Sequence, residues 1–392
     1  MADQIKVSVI MPVYNAADFL NETLRDVTGQ TLKDIEIICV DDGSKDSSRE
    51  IVGEWQEKDN RIQLITQQNQ YAGVARNNGF AQAKGQYVVF WDADDIFHNT
   101  ALEQMYCQLE KTGADVCVCG AQRYDMENDR YIPSKAYLRR ELLPEMEVFS
   151  KKDTEYLFDF ATNNPWNKMY SAEFIRKHDL QFQAIKQAND TYFTMMALFL
   201  AEKITYVDEV LISYRVNNAG SLTGKASDTV FCAYESYVYT KERMEKYPEF
   251  ALVKKSFLNH ALNGFFHALN NQRSFVSYEN IYTKLADEGF AYFGMDKVPA
   301  EEYMHAWQHR DMLKVLSMPA TEFLLQKCEE RRLNAEGFRV AKEYEQQRRK
   351  EERAHIERLR EEIVRIRASK TFRVGKLIMG IPSAIKRIFI KK

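Results

Sequence analysis

Acidic side chains at the ends of two strand-like runs carry most of the chemistry this chain offers. Ile35-Glu36-Ile37-Ile38-Cys39-Val40 ends in Asp41-Asp42-Gly43-Ser44, and Gln86-Tyr87-Val88-Val89-Phe90-Trp91 ends in Asp92-Ala93-Asp94-Asp95. Apolar β-rich runs that stop abruptly in acids place those acids at one edge of a parallel sheet, where open α/β folds bind ligands. A D-x-D pair at such an edge suits a hard divalent cation, which takes oxygen ligands and leaves room for phosphate oxygens. These residues point to the handling of a nucleotide diphosphate.

The elements that must position those acids follow an alternating pattern. Val7-Ser8-Val9-Ile10-Met11-Pro12-Val13-Tyr14 reads as a buried strand, followed by a helix with Asn15 as its cap and Phe19, Leu20, Leu24 and Val27 on one face. The pattern Ser47-x-x-Glu50 predicts a capping box for a second helix carrying Ile51, Val52 and Trp55. Residues 62–65 predict a strand and 73–83 a helix. Thr100-x-x-Glu103 predicts a capped helix closing at Gly113, and 115–119 a further strand. Asp95 is open to a capping role. Such βα repeats imply an α/β fold with a right-handed, doubly wound parallel sheet. Residues 121–150 are polar and irregular, a candidate active-site loop, and 164–216 resume the α/β pattern.

Beyond the sheet the signal changes. Residues 227–318 are helical and aromatic-rich, and an aromatic stripe at helical spacing predicts core. After Pro319 the chain becomes a long charged helix in which Ile356, Leu359, Ile363 and Ile366 step like a and d positions. That register covers only about two heptads, so a solvated stalk and a self-associating coiled coil both stay open. Four segments are therefore expected: an α/β domain over 1–225, a helical domain over 226–318, a charged helix over 319–367 and a tail over 368–392.

The 392 residues are 45% apolar with a net charge of −3, enough for two or three packed units. That balance conceals a basic end: from Arg367 onward come Lys370, Arg373, Lys376, Lys386, Arg387, Lys391 and Lys392 with no acid. Beside these cations Val374, Leu377, Ile378, Ile381, Ile385, Ile388 and Phe389 form an apolar stripe interrupted at Pro382. A helix lying on an anionic membrane surface is the expectation for it, and nucleic acid is not, since base-stacking platforms and a folded basic domain are missing. Cys39, Cys107, Cys117, Cys119, Cys232 and Cys328 form no C-x-x-C and accompany no His cluster, which fits a reduced cytoplasmic protein. No signal-peptide pattern and no apolar run of membrane-spanning length is expected either.

The motifs taken together resemble the inverting nucleotide-sugar glycosyltransferases of the GT-A fold, in particular the large second family acting in bacterial capsule, O-antigen and wall-polymer synthesis. The matching runs are Met11-Pro12-Val13-Tyr14-Asn15, Val40-Asp41-Asp42-Gly43-Ser44, Gly73-Val74-Ala75-Arg76-Asn77, Trp91-Asp92-Ala93-Asp94-Asp95, Pro165-Trp166-Asn167-Lys168-Met169-Tyr170, Asn189-Asp190-Thr191-Tyr192-Phe193 and Tyr214-Arg215. The resemblance covers about the first 220 residues. It implies a GT-A, Rossmann-like domain with a mostly parallel sheet. It implies a donor nucleotide held by Pro12, Val13, Tyr14, Asp41, Asp42, Arg76, Asp92 and Arg215, with one of the paired Asp41 and Asp42 accepting from the base edge. Asp94, with Asp92, would hold Mn2+ or Mg2+ between the phosphates. Asp190 would be the general base of a single displacement, on the face opposite the leaving diphosphate.

Trp166 and Lys168 are candidate sugar or acceptor contacts, and His98 is expected at the surface. The chain departs from the family at Asn189, where an acid usually precedes the base. The implied donor is a nucleoside-diphosphate sugar, a UDP-sugar first, and the acceptor a glycan or lipid-linked glycan. The implied enzyme is a hexosyl- or N-acetylhexosaminyl-transferase, peripheral on the inner face of the cell membrane. Nucleotidyltransferases are disfavoured by the absence of a Gly-rich basic loop after the first strand, and NAD enzymes by the absence of G-x-G-x-x-G. A membrane-associated assembly subunit with a degenerate transferase domain is the non-enzyme alternative.

Overall fold

A computed structural model describes residues 4–217 and 229–368. The first four strands, β1 (Val7–Val13), β2 (Ile35–Asp41), β3 (Ile62–Thr66) and β4 (Tyr87–Phe90), alternate with helices α1 (Ala17–Thr28), α2 (Ser48–Lys58) and α3 (Tyr71–Gln82). All four strands run parallel, β2 pairing with β3 and β1 with both β2 and β4. The register sets Val13 beside Asp41 and Ile10 beside Phe90. Tyr14, Asp42 and the Trp91–Asp95 turn therefore leave the sheet at one edge. Val7, Val9, Met11 and Val13 are fully buried, each contributing about 1.5–3 kcal/mol by leaving water.

The second half of the sheet is mixed. After β5 (Ile96–Phe97), helix α4 (Ala101–Thr112) ends at Gly113 in the left-handed conformation, as the sequence predicts. Next come β6 (Val116–Asp125), the hairpin strand β7 (Arg130–Pro133), β8 (Val148–Phe149), β9 (Lys168–Ser171), α5 (Ala172–Lys177), α6 (Asn189–Leu200) and β10 (Ile204–Val216). The strand order is β3-β2-β1-β4-β9-β6-β10-β5, with β7 on β6 and β8 on β10. The longest pairing, β6 with β10, is parallel, while β9 inserts antiparallel between β4 and β6. No long crossover helix separates β6 from β9, so the chain is free to return in the opposite direction. The segment expected to be irregular, 121–150, supplies the end of β6 together with β7 and β8.

Helices α7 (Cys232–Met244), α8 (Phe250–Asn270), α9 (Phe275–Lys284), α10 (Phe290–Phe293) and α11 (Ala306–Ser317) form the aromatic region. Tyr234, Tyr237, Phe257, Phe265, Phe266 and Phe293 are buried there, so these positions are core, while Tyr247, Phe275, Tyr292 and Trp307 are exposed. The chain divides into two units, Met1–Ala320 and Thr321–Lys392, and the expected boundary at 225/226 falls inside the first. Helix α12 (Ala320–Ala368) belongs to the second unit from Thr321 onward, and Ile356 and Leu359 on it are exposed. Residues 369–392, nearly all of the expected basic tail, lie outside the described residues. Among the described residues no helix is long and apolar enough to cross a membrane.

Candidate active site

The edge that carries Asp41 and Asp42 is built by two interlocking turns. Asn15 adopts a left-handed backbone (φ +49°), which an Asn tolerates better than a β-branched residue does. Its N–H donates to Ser44 Oγ at 3.1 Å, and its side-chain oxygen accepts from Lys45 N–H at 2.8 Å. Gly43 turns at φ +76°, where a Cβ would also crowd the backbone of Asn69. Asp41 is fully buried, and both its oxygens are occupied. Oδ1 accepts from Ser44 N–H at 3.1 Å, while Oδ2 accepts from Arg49 Nε at 3.0 Å and Nη2 at 2.8 Å. Asp42 Oδ1 accepts from Gln67 Nε2 at 2.7 Å and Gln70 N–H at 2.8 Å, with no described protein donor on Oδ2. Of the pair, Asp42 keeps the free acceptor. Pro12 is half-buried and Tyr14 exposed at this edge, whereas the Val13 side chain is in the core and its carbonyl accepts from Asp42 N–H at 2.8 Å.

Three carboxyl groups crowd the corner after β4. Asp94 makes no hydrogen bond to a described side chain, and burial followed by the charge of Asp92 pushes its carboxyl up to about 6. Asp95 is fully buried. Its Oδ1 accepts from Arg215 N–H at 3.1 Å and its Oδ2 has no partner. Burial, then Asp94 and Asp92, raise it well above the usual carboxylate range. No helix begins here, so Asp95 latches the corner onto β10 and does not cap. Arg215, 5% exposed, braces the same corner from behind, donating through Nη1 to the Asp94 carbonyl at 2.7 Å and pairing with Glu22 of α1 at 2.6 Å. The expected diphosphate contact through Arg215 gives way to this bracing, because its guanidinium is enclosed and engaged by protein oxygens.

Arg76 links the corner to the candidate base. Its Nη2 donates to Asp92 Oδ1 at 2.6 Å and its Nη1 to Asn189 Oδ1 at 2.9 Å, while its buried Nε has no partner. The guanidinium lies over the Phe182 ring at 5.3 Å. Asn77, one residue on, clamps Phe182 by accepting its N–H at 2.8 Å and donating to its carbonyl at 2.9 Å. Phe182 stacks on Phe193 of α6 at 4.0 Å, and Phe90 and Tyr170 pack edge-on to Phe193, so the first turn of α6 is fixed against the sheet. Gly73 is required by this approach, because a Cβ there would overlap the Gln183 carbonyl and touch the Asn189 Cβ. Asp190, in the first turn of α6 and half-buried, accepts no hydrogen bond from another described side chain. Burial raises its carboxyl; Arg76 offsets part of that, Asp92 adds to it, and Lys168 lowers it slightly.

Trp166 and Lys168 do not face this space. Trp166 is 2% exposed, stacked on Tyr214 at 5.8 Å and packed against Tyr137 at 5.1 Å, so no ring face is free for a sugar. Lys168 is fully buried, and its ammonium donates to Thr162 O and Asn164 O at 2.7 Å and to Asn167 Oδ1 at 2.9 Å. Three oxygens match the three donors of –NH3+, although burial pushes the group down to about 7. Both residues shape the turn before β9. His98 is exposed, with Nδ1 2.9 Å from Thr100 Oγ1, as the surface expectation has it. Sequence reasoning missed Arg49, Gln67 and Gln70, which orient the paired acids, and Glu22, which anchors Arg215.

The acids fit a divalent cation that would ride in with a diphosphate. Asp94 is unpaired and crowded by like charge, Asp95 has an orphaned oxygen, and Arg76 already engages Asp92, so Asp94 has first claim as a ligand. Among the described residues no three His, Cys, Asp or Glu side chains converge as a closed metal site. An incomplete set of that kind is how Mg2+ sites that borrow phosphate oxygens are built. Volume alone does not mark this centre: a cleft of about 940 Å3 runs along α3 past Asn77, Gln183, Tyr192 and Arg243, and none of the acids lines it.

The sequence model of Glycosyl transferase family 2 matches residues 8–179, the span that holds the paired acids, Arg76 and the acidic corner. EpsJ of Bacillus subtilis, described as an uncharacterized glycosyltransferase, is 34% identical over 219 residues, 55% of this chain and 62% of that protein. Glycosyltransferase GlyG of Streptococcus pneumoniae serotype 4 is 30% identical over 221 residues, 55% of this chain and 72% of that protein. Several other curated relatives are longer than the match, this chain spanning 31% of one and 61 to 63% of two more. The crystal structure of S. aureus TarS 1–349 in complex with UDP-GlcNAc superposes with a TM-score of 0.52 at 18% identity, over 78% of this chain and 90% of that one, and shares the fold. The described sheet, its acidic edge and these matches agree: the chain belongs to glycosyl transferase family 2.

Proposed function

We propose that the protein transfers a sugar, with inversion, from a nucleoside diphosphate to a hydroxyl of a glycan or lipid-linked glycan. The observation that carries this reading is Arg76, a single buried guanidinium joining the acidic corner at Asp92 to the residue before Asp190. The proposed donor corner and proton acceptor are thereby tied together through one cation. Asp42 offers its free oxygen to the base edge, Tyr14 and Pro12 line the nucleoside, and Asp94 holds Mn2+ or Mg2+. When bound, that ion offsets the charge on the departing diphosphate. Asp190 takes the acceptor proton as the hydroxyl oxygen bonds to the anomeric carbon, and the electron pair of the breaking C–O bond leaves on the diphosphate. A raised carboxyl suits this task, since it is a stronger base than an ordinary carboxylate. A UDP-sugar is the first donor to test, UDP-GlcNAc being the molecule held by the TarS crystal structure.

The wider setting follows from the sequence. The basic, apolar-striped 368–392 segment would hold the enzyme on an anionic inner membrane face beside a lipid-linked acceptor, and α12 would serve a homo-oligomer. The test of the reaction is release of nucleoside diphosphate from a panel of nucleotide sugars without acceptor, in Mn2+, in Mg2+ and in EDTA. Metal-dependent hydrolysis of one donor supports the reading. A chain inert to every nucleotide sugar that also binds no nucleoside diphosphate would be the assembly subunit instead.

A further inference from the structure

The cleft beside α3 is lined by side chains that the transfer chemistry leaves unused. Its volume, about 940 Å3, lies in the range of about 300–1,000 Å3 that ligand sites occupy. Two arginines reach it from different helices, and each lies over an aromatic ring. Arg243 of α7 is 3.2 Å above Tyr239 and 5.6 Å from the ring of Tyr192 on α6, and those two rings meet edge-on at 4.8 Å. Arg176 of α5 lies over Phe80 at 5.1 Å and donates through Nη2 to the Ala83 carbonyl at 2.6 Å. No described carboxylate forms an ion pair with either guanidinium. The acids beside Arg243 on α7 are engaged elsewhere, Glu242 by the Tyr292 hydroxyl and Glu245 by Lys241. Asp179 is the one acid among the described lining residues, and it accepts from Gln181 Nε2 at 3.3 Å.

The wall is therefore rich in donors and poor in acceptors. Gln183 adds to this, because its side-chain oxygen accepts from the Ser236 hydroxyl while its Nε2 has no described acceptor. A half-buried guanidinium held flat on a ring keeps in-plane N–H groups available and has little rotamer freedom left to lose on binding. Carboxylate and phosphate oxygens are the acceptors that match such a fork. We propose that this cleft is a second ligand site, which takes an acidic saccharide by its carboxylate or phosphate groups through Arg243 and Arg176, with Gln183 donating to a hydroxyl. The site is separate from the transfer centre, since none of Asp42, Asp92, Asp94 and Asp190 lines it. The choice of a saccharide rests on the glycosyltransferase reading above, whereas the negative charge rests on the cleft alone.

Calorimetric titration of the full chain with trigalacturonate, maltotriose and inorganic phosphate tests the site. Trigalacturonate should bind about tenfold or more tighter than maltotriose, the scale of hydrogen bonds to a charged group. It should also bind tighter than phosphate alone, which leaves most of the cleft empty. Saturating UDP and the Asp190→Asn substitution should leave its affinity unchanged, because neither touches the cleft. Arg243→Gln should lower that affinity about tenfold or more and keep acceptor-free donor hydrolysis at the wild-type rate. Arg176→Gln, at an exposed side chain, should lower it about threefold and tests the same site if Arg243→Gln fails to fold. Absence of trigalacturonate binding, equal binding of maltotriose, or an affinity unchanged in both arginine variants overturns the proposal. Phosphate binding as tightly as the trisaccharide would make this a site for a free anion, and displacement by UDP would place the saccharide in the transfer centre; either result overturns it too. Failure of the wild type to bind any nucleoside diphosphate would remove the glycosyltransferase reading, a result distinct from all of these.

Discussion

Replacing Lys168 with Met tests whether this residue belongs to the fold or to the substrate. The substitution keeps the length of the side chain and removes three donors at 2.7–2.9 Å from a fully buried position. Thr162 O, Asn164 O and Asn167 Oδ1 would each lose a partner, and an unsatisfied buried acceptor costs about 1–3 kcal/mol. Removing the ammonium also removes its own desolvation cost, so the net destabilisation should be about 3–5 kcal/mol, the range for breaking a buried charged contact. For a unit of this size the melting midpoint should fall by roughly 5–7 °C. Urea titration followed by far-UV circular dichroism gives the free energy, and calorimetry of UDP with Mn2+ gives donor affinity on the folded fraction. Destabilisation with near-normal donor affinity is the expected pair of results. A loss below about 1 kcal/mol accompanied by lost turnover would refute the reasoning and return Lys168 to the acceptor site.

Asp94→Ala should abolish metal-dependent nucleoside diphosphate binding and leave the melting midpoint nearly unchanged, because it removes an edge carboxylate held against like charge; undiminished calorimetric binding would exclude Asp94 from the metal. Asp190→Asn should spare donor binding and lower transfer by about a thousandfold or more, with inverted anomeric configuration in the wild-type product by NMR. Because burial raises the Asp190 carboxyl, the active deprotonated form is lost on acidification at a higher pH than for an ordinary carboxylate. A pH profile of kcat/KM whose acid limb lies at or below the ordinary carboxylate value of 3.8 would contradict that sign. Deleting 368–392 should release the protein from anionic vesicles and preserve activity on a soluble acceptor, with binding of the intact chain weakening as salt shortens the Debye length below about 8 Å. Cosedimentation unchanged by the deletion would move the membrane contact elsewhere.

The acidic edge is legible in the sequence because apolar runs that halt at Val40 and Trp91 fix where the chain leaves the sheet, and register does the rest. Caps are less legible, since a hydroxyl near a helix start has competitors. Ser47 and Thr100 make no side-chain cap hydrogen bond. The Ser48 hydroxyl accepts from Ala16 N–H, and Glu103 accepts from Thr31. At α4 a long-range contact takes the acid that would close the box, whereas at α2 the neighbouring Asp46 accepts the Ser48 N–H at 3.0 Å in place of a Ser47 cap. Lys168 and Trp166 misled for a related reason: residue type announces charge or ring, while burial is decided by β9 wedging between β4 and β6. Arg49, Gln67 and Gln70 carried no periodic signal at all, and only the folded turns bring them onto Asp41 and Asp42. Arg76 and Asn189 are separated by more than a hundred residues, and no spacing rule joins them.

The close passage of Gly73 against Gln183 and Asn189 has a bearing on how this scaffold diversifies. The helix that carries Arg76 passes there against the backbone that leads into the helix carrying Asp190 and against the Asn189 Cβ, leaving no room for a side chain. Any enlargement would wedge the two apart, and the distance between Arg76 and Asp190 would change with it. The seam is a fixed gauge, intolerant of drift, around which other parts of the protein are free to vary. New donors or acceptors are better sought by altering the 121–150 segment than helix α7, whose Ser236 hydroxyl donates to the Gln183 side chain and so bears on that gauge. A library built to retarget the enzyme should hold Gly73, Asn77 and Phe182 constant and spend its diversity in the 121–150 segment.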